Sequence, residues 1–359
     1  MAQYEERLQN DLAQISDKLA NLAQAVETAL ENATQALLAG SDEQAYAVML
    51  GDLPINRASR ELDRICHGFI AVHLPSAGHL RFVSAVMRVN LELERIGDYA
   101  VTICRETAQV GHPPAATVAQ QMESMAAESR RILGQAVAAF NDNNTDLAEQ
   151  TMGEAEGVRR RFEDIFNNLV NEGDNIGVKD LFAHIAVFNS LGRVADQAKN
   201  ICEETVFAVS GQTKAAKVYR VLFLDEDNST LSPMAQAIAR KNFPNSGVYH
   251  SAGRQATAVN GELLEFLQER GLSLEDHAPQ ALDPAAELAD YHVIVSLQGP
   301  VKSYLERIPF RTAALAWDVG APPAGPDAAQ NKTQFETLYR DLALQVRDLM
   351  ITLRGEEAT

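Results

Sequence analysis

The chain has 359 residues, 46% of them hydrophobic and 22% charged, with a formal net charge of −18. This length allows two or three domains with real cores, and the negative charge argues against binding nucleic-acid backbone or anionic lipid while leaving protein partners and cations open. No apolar run approaches the roughly 18–20 residues of a membrane span, the opening MAQYEERLQNDLAQ is too polar for a secretory signal, and Cys66, Cys104 and Cys202 are spaced too widely for a disulfide framework, so the expected compartment is the cytoplasm, without membrane insertion.

Over 4–38 apolar residues recur at three- and four-residue intervals, among them Leu8, Leu12, Ile15, Leu19, Leu22, Val26 and Leu30. This spacing predicts a long amphipathic helix, stopped by Gly40. Ser41 offers an N-cap, with Gln44 in the capping-box position. A second helix follows through Met49, Leu53, Ile55, Leu62 and Ile65, to a break at Pro75 and Gly78. A third covers 80–107 and ends before Gly111-His112-Pro113-Pro114. The plan then repeats: a helix over 117–140, a turn at 141–144, a helix over 146–170, a break at 171–174 and a helix over 179–209. RVNLELERIGDYAVTICRE (88–106) aligns without gaps with AVFNSLGRVADQAKNICEE (186–204). An internal repeat of two three-helix units, 1–110 and 115–210, explains the region.

The phrase LERIGDYAVTICRE, with LRFVSAVMRVN (80–90) before it, resembles the repeated motif of PhoU-type phosphate-signalling proteins, in which Glu-x-x-x-Asp-x-x-x-Asn lies on one helix. The first copy supplies Glu94, Asp98 and Thr102; the second supplies Gly192, Asp196 and Asn200. Residues at i, i+4 and i+8 share one helix face, and carboxylates with an amide make an oxygen surface suited to a cation. The resemblance implies metal binding there, of iron, zinc or another divalent ion; Asp52, on the second helix, is an additional candidate ligand. The competing reading pairs Asp98 and Asp196 with Arg95 and Arg193. Cys104 and Cys202 lie six residues after each motif Asp, off that face, and read as packing side chains.

After the linker 210–214 the pattern changes. VYRVLFL (218–224) is a dense apolar run of buried-strand type. Pro233 opens a helix, 248–253 is a strand, 262–270 a helix, 291–297 and 312–317 strands, and 333–353 a helix. Strands alternating with helices predict a parallel α/β domain over 217–359. The phrases VLFL…N…SPMAQAIAR, SAG (251–253), LLEFLQERGLSLEDHAPQAL and YHVIVSL resemble the low-molecular-weight tyrosine phosphatase and arsenate reductase family. There a loop Cys-x5-Arg-Ser cradles phosphate with backbone N–H groups, and a later Asp-Pro supplies the acid.

The residues that carry this chemistry are replaced. Asp225 stands in the cysteine place and Leu231 in the arginine place, while Asn228, Ser232 and Pro233 match. Ala321 takes the acid's place, with Asp318 nearby. Asp225-Glu226-Asp227 is expected to set three carboxylates at the mouth of the loop. Two like charges about 4 Å apart repel by roughly 4 kcal/mol at a surface-like dielectric, against about 1–3 kcal/mol for a hydrogen bond to a charged group. The loop is therefore expected to bind phosphate or arsenate poorly, and to suit a cation or a basic side chain. VLFLDEDNS also matches the start of aspartate-nucleophile phosphotransferases, but the downstream residues follow the cysteine family.

The fold class expected is two tandem three-helix bundles followed by a small parallel-sheet α/β domain. The resemblance implies a regulator of phosphate uptake that acts by binding a transporter ATPase and a sensor histidine kinase, with a homodimer as its assembly and the last domain as a pseudo-phosphatase. The enzymatic alternative is a phosphatase or arsenate reductase with an Asp-based site.

Overall fold

The computed structural model describes residues 2–171, 177–213, 217–274, 277–283, 288–355 and 358. Most of the expected break at 171–174, and Lys214 of the expected linker, lie outside the described residues. The chain folds as two compact units, Met1–Lys214 and Ala215–Thr359.

The first unit is helical: α1 (Ala2–Ala39), α2 (Asp42–His73), α3 (Ala77–Val110), α4 (Ala116–Asn141), α5 (Thr145–Asn171) and α6 (Val178–Ser210). Gly40 ends α1 in the left-handed region at φ 60°, where glycine carries no Cβ penalty. The amides of Gly40 and Ser41 bond back to the carbonyls of Leu37 and Ala36. A Cβ at Gly40 would lie 2.4 Å from the Pro113 nitrogen, so this glycine also lets the α3–α4 loop approach. Ser41 then caps α2 by accepting the Gln44 amide at 3.4 Å. The second break falls at Leu74, which is left-handed at φ 44°, and at Pro75, which disfavours helix in the residue before it. Gly78, expected to break the chain, sits in the first turn of α3.

One continuous core runs through all these helices. It includes Ile15, Leu22, Val26 and Leu30 of α1, Leu62 of α2, Leu93 and Ile96 of α3, and Val194 and Ile201 of α6. Cys66, Cys104 and Cys202 are fully buried in it, and burial pushes each thiol up to about 12. They are packing side chains.

In the second unit the order is β1 (Tyr219–Asp225), α7 (Leu231–Asn242), β2 (Gly247–Gly253), α8 (Gly261–Glu269), β3 (Val293–Ser296), β4 (Ala313–Ala316) and α9 (Ala328–Arg354). The strands pair in parallel in the order β2-β1-β3-β4. Alternation along central β1 supplies both faces. Val221 and Phe223 pack with Met234, Ile238, Phe335 and Leu342, while Leu222 and Leu224 pack with Ile294, Val301 and Leu305. α7 starts at Leu231, so Pro233 is its third residue rather than its first. α9 starts ahead of 333, because Asp327 caps it by accepting the amides of Ala329 and Gln330.

Candidate functional site

α2 and α3 bring Asp52, Glu94 and Asp98 to one surface. Burial raises the Asp52 carboxyl above its usual range, and the charge of Asp98 raises it further; the Asn56 amide and Arg105 oppose this. Glu94 is raised by burial and then by Asp98 and Asp52, against Arg95 and Arg60. Asn56 donates to Asp52 Oδ2 at 2.6 Å. Asp52 Oδ1 is buried without a hydrogen-bond partner among the described residues, and a Cβ at Gly97 would come within 3.3 Å of it. A carboxylate oxygen left unpaired beside two others suits a cation. The Thr102 hydroxyl donates back to the Asp98 carbonyl at 3.0 Å. Arg95 pairs with Glu92 at 3.3 Å rather than with Asp98.

The second copy is different. Asp196 is held by Arg159 of α5 at 2.9 Å and by Arg193 at 3.4 Å. Asn200 donates to Gln197 at 3.2 Å. These residues do not fit a metal ion. Among the described residues no three His, Cys, Asp or Glu side chains are arranged to hold one, so a cation on the first face would have to complete its shell with water.

In the second unit β1 delivers Asp225 to the carboxyl edge of the sheet, between β2 and β3, where α/β folds place their ligand sites. The sequence predicted Asp225 at the mouth. The structure instead turns it inward, 1% exposed. Its Oδ1 accepts the Asn228 amide at 2.6 Å and its Oδ2 the Ser232 amide at 2.8 Å. The carboxylate thus fills the loop from within. Burial still raises its pKa, and those hydrogen bonds oppose the rise.

A hydrogen-bonded scaffold surrounds it. Asn228 is left-handed at φ 51°. Its side-chain Nδ2 donates to the hydroxyls of Ser232 (2.8 Å) and Ser251 (3.0 Å), and its side-chain Oδ1 accepts the Gln280 backbone amide at 2.9 Å. Ser251 in turn donates to Gln236 at 2.7 Å. A Cβ at Gly253 would lie 2.5 Å from the Asn228 nitrogen, which explains the glycine of SAG. Leu231, in the arginine place, is 1% exposed and belongs to the core. Asp227 accepts the Ser229 amide at 3.1 Å.

The mouth carries a contact that sequence reasoning missed. Glu226 pairs with Arg254 at 3.2 Å and accepts the Tyr304 hydroxyl at 3.2 Å. The Arg254 guanidinium lies over the Tyr304 ring, 5.1 Å from its centroid. The acidic loop takes a basic side chain, as its charge predicts, and that side chain is the chain's own. Asp318 is exposed and left-handed at φ 45°, and Ala321 is exposed. Trp317 beside them packs on Phe223.

The PhoU domain family matches this chain twice, over residues 19–107 and 122–205. The helical unit carries PhoU domains. The PhoU protein of Serratia marcescens, a phosphate-specific transport system accessory protein, is 28% identical over 204 residues, covering 56% of this chain and 84% of the relative. The Pseudomonas putida homologue of that accessory protein is 27% identical over 206 residues, covering 56% and 80%. The crystal structure of PhoU from Pseudomonas aeruginosa superposes with a TM-score of 0.55 at 25% identity, covering 57% of this chain and 99% of that one. Residues 220–358 match the low molecular weight phosphotyrosine protein phosphatase family. The matched ranges include both expected motif copies, 94–102 and 192–200, and the loop 225–232.

Proposed function

We propose that this protein regulates phosphate uptake and phosphate-responsive signalling by binding other proteins, and that its phosphatase-like domain is non-catalytic. The PhoU relatives, accessory proteins of phosphate transport, support the first part. The observation that carries the second is the Asp225 carboxylate, buried and bonded through both oxygens to the amides of Asn228 and Ser232. An oxyanion needs those amides, and a nucleophile needs a free lone pair directed at its target. Asp225 denies both, and Leu231 supplies no guanidinium. No observation favours an aspartate nucleophile.

In this reading 1–110 and 115–210 are the two repeats and 217–359 is the appended domain. The partners are a transporter ATPase and a sensor histidine kinase, the assembly is a homodimer, and the place of action is the cytoplasm. Among the described residues no helix is long and apolar enough to cross a membrane. The acidic face of Asp52, Glu94 and Asp98 attracts a hydrated divalent ion such as iron or zinc, held largely through its water shell, while Asp196 and Asn200 do not. Equilibrium binding of the intact protein to the purified ATPase and to the kinase's cytoplasmic region, with and without phosphate, tests the proposal. It predicts a complex whose affinity depends on phosphate. The absence of a complex with either protein in every condition would remove the regulatory reading.

A further inference from the structure

The apolar spacing of α2 reads Leu53 as part of its buried face, and the structure turns this side chain outward. Tyr46, Leu50 and Leu53 are 54%, 68% and 54% exposed, and steps of four and three residues set them in one stripe along the helix. Pro54, inside the helix and also exposed, widens the stripe. Beside it α1 and α2 leave a groove of about 850 Å³ whose walls include Ala25, Ala29, Ala47 and Gly51, with Lys18 as their one ionisable group among the described residues. Single exposed apolar side chains are ordinary, but a contiguous apolar patch rimmed by polar residues marks an interaction surface.

The stripe carries opposite charges at its two ends. Glu43 stands at its start and Arg57 at its finish, both exposed, and neither has an ion pair or hydrogen bond among the described residues. Glu43, Tyr46, Leu50, Leu53 and Arg57 follow one another at three, four, three and four residues, the spacing of a helix seam that meets a second helix. The order is symmetric about Leu50, with Tyr46 and Leu53 next on either side and Glu43 and Arg57 each seven residues away. In an antiparallel pair of such helices about a two-fold axis, Leu50 meets Leu50, Tyr46 of each copy meets Leu53 of the other, and Glu43 of each meets Arg57 of the other. A parallel pair would set Glu43 against Glu43 and Arg57 against Arg57. The helix dipoles also favour the antiparallel arrangement. The stripe is thus complementary to itself, as an isologous contact requires. A foreign segment of one sign would match one end and oppose the other. Two chains of net −18 repel, and here the middle of the contact is uncharged and its ends attract.

We propose that this face of α2 is the surface on which two copies of the chain join, antiparallel about a two-fold axis that passes by Leu50. The surface rests on the homodimer of the reading above and gives it a place; binding of the ATPase and the kinase does not depend on it.

Sedimentation equilibrium of the intact protein at low salt tests it. A dimer is expected, weakened about a hundredfold by Leu50→Asp, which sets two carboxylates together at the centre of the contact. Glu43→Arg and Arg57→Glu should each weaken it about tenfold, since each puts like charges together at both ends. The variant carrying both reversals should regain wild-type association, a recovery that a misfolded protein would not show. Gly51→Cys, beside the axis, should form a disulfide between copies on oxidation, while the native Cys66, Cys104 and Cys202 are buried. Circular dichroism checks that each variant is folded. A dimer that persists in Leu50→Asp, no recovery in the double reversal, or no disulfide at Gly51→Cys would overturn this surface and leave the homodimer standing. A monomeric wild-type protein would remove the surface and the homodimer together. Neither result bears on the complexes with the ATPase and the kinase, which are measured separately.

Discussion

Tyr99 and Gln197 occupy equivalent places in the two repeats, ninety-eight residues apart, and their side chains meet: the Gln197 amide donates to the Tyr99 hydroxyl at 3.3 Å. The offset read from the sequence alignment is thus also a contact between α3 and α6. Equivalent residues of two related units touch only close to the axis that relates them. Away from this contact the halves have diverged. Arg88 pairs with Glu204 at 3.1 Å, yet the reciprocal places hold Ala186 and Glu106, which cannot form the same pair. The carboxylates Asp52, Glu94 and Asp98 on one repeat and the arginine-paired Asp196 on the other are the same kind of divergence.

Gln197 is 3% exposed, so Tyr99→Phe should leave a buried amide short of a partner. The expected cost to the helical unit is about 1–2 kcal/mol, read as a lower urea midpoint with an unchanged slope. An unchanged midpoint would mean that the contact contributes nothing.

Asp225→Asn should destabilise the α/β unit. Asparagine offers one acceptor where Asp225 offers two, and turns an NH2 toward the Ser232 or Asn228 amide. The loss is expected at about 1–3 kcal/mol. Gly253→Ala should also destabilise it, by forcing the loop away from its Asn228 amide. Differential scanning calorimetry of both variants checks this. A wild-type transition in either would show that the loop is not locked as described.

Stability should fall on mild acidification. Burial lowers the pKa of His184 in the helical unit and of His250, His277 and His292 in the α/β unit below the ordinary histidine value of 6.5. In each case the unfolded chain takes up protons first as the pH drops, so stability present above about pH 6.5 is lost as pH falls toward the folded-state values. Asp225 has the opposite sign. Its raised pKa means that the folded state gains on protonation as pH falls from its folded-state value down to its unfolded value near 3.8. Guanidinium midpoints measured from pH 7.5 to 5.5 should decline, and a flat profile would contradict the histidine assignment.

Asp98→Asn should lower the carboxyl pKa values of Asp52 and Glu94, since its charge raises both. Carbon-13 NMR titration of the side-chain carboxyls reads this directly. Unmoved values would mean that the three do not share a surface.

Much of the fold was legible in local signals. Gly40 and Ser41 mark a helix end and a helix start with a glycine and a hydroxyl, and both act as their chemistry suggests. The apolar run of β1 signals a strand buried on both faces, and Phe223 and Leu224 are its two sides. The start of α9 was missed because Asp327 caps it in a stretch with little apolar periodicity. The site was legible only in part. The loss of cysteine and arginine at Asp225 and Leu231 is a matter of identity, visible in one dimension. The direction in which Asp225 points is not, because it depends on amides at 228 and 232 being curled to meet it. Arg159 and Arg254 reach their carboxylates from other elements, 37 and 28 residues away, and no short-range pattern announces such pairs.

We propose that this protein acts by association and that its phosphatase-like loop, filled by its own carboxylate, does no chemistry. Single-turnover assays of the intact protein with an aryl phosphate and with arsenate, with and without thioredoxin and magnesium, test this most directly. No product above the protein-free blank is expected. Product in stoichiometric amount that disappears in Asp225→Asn would contradict it.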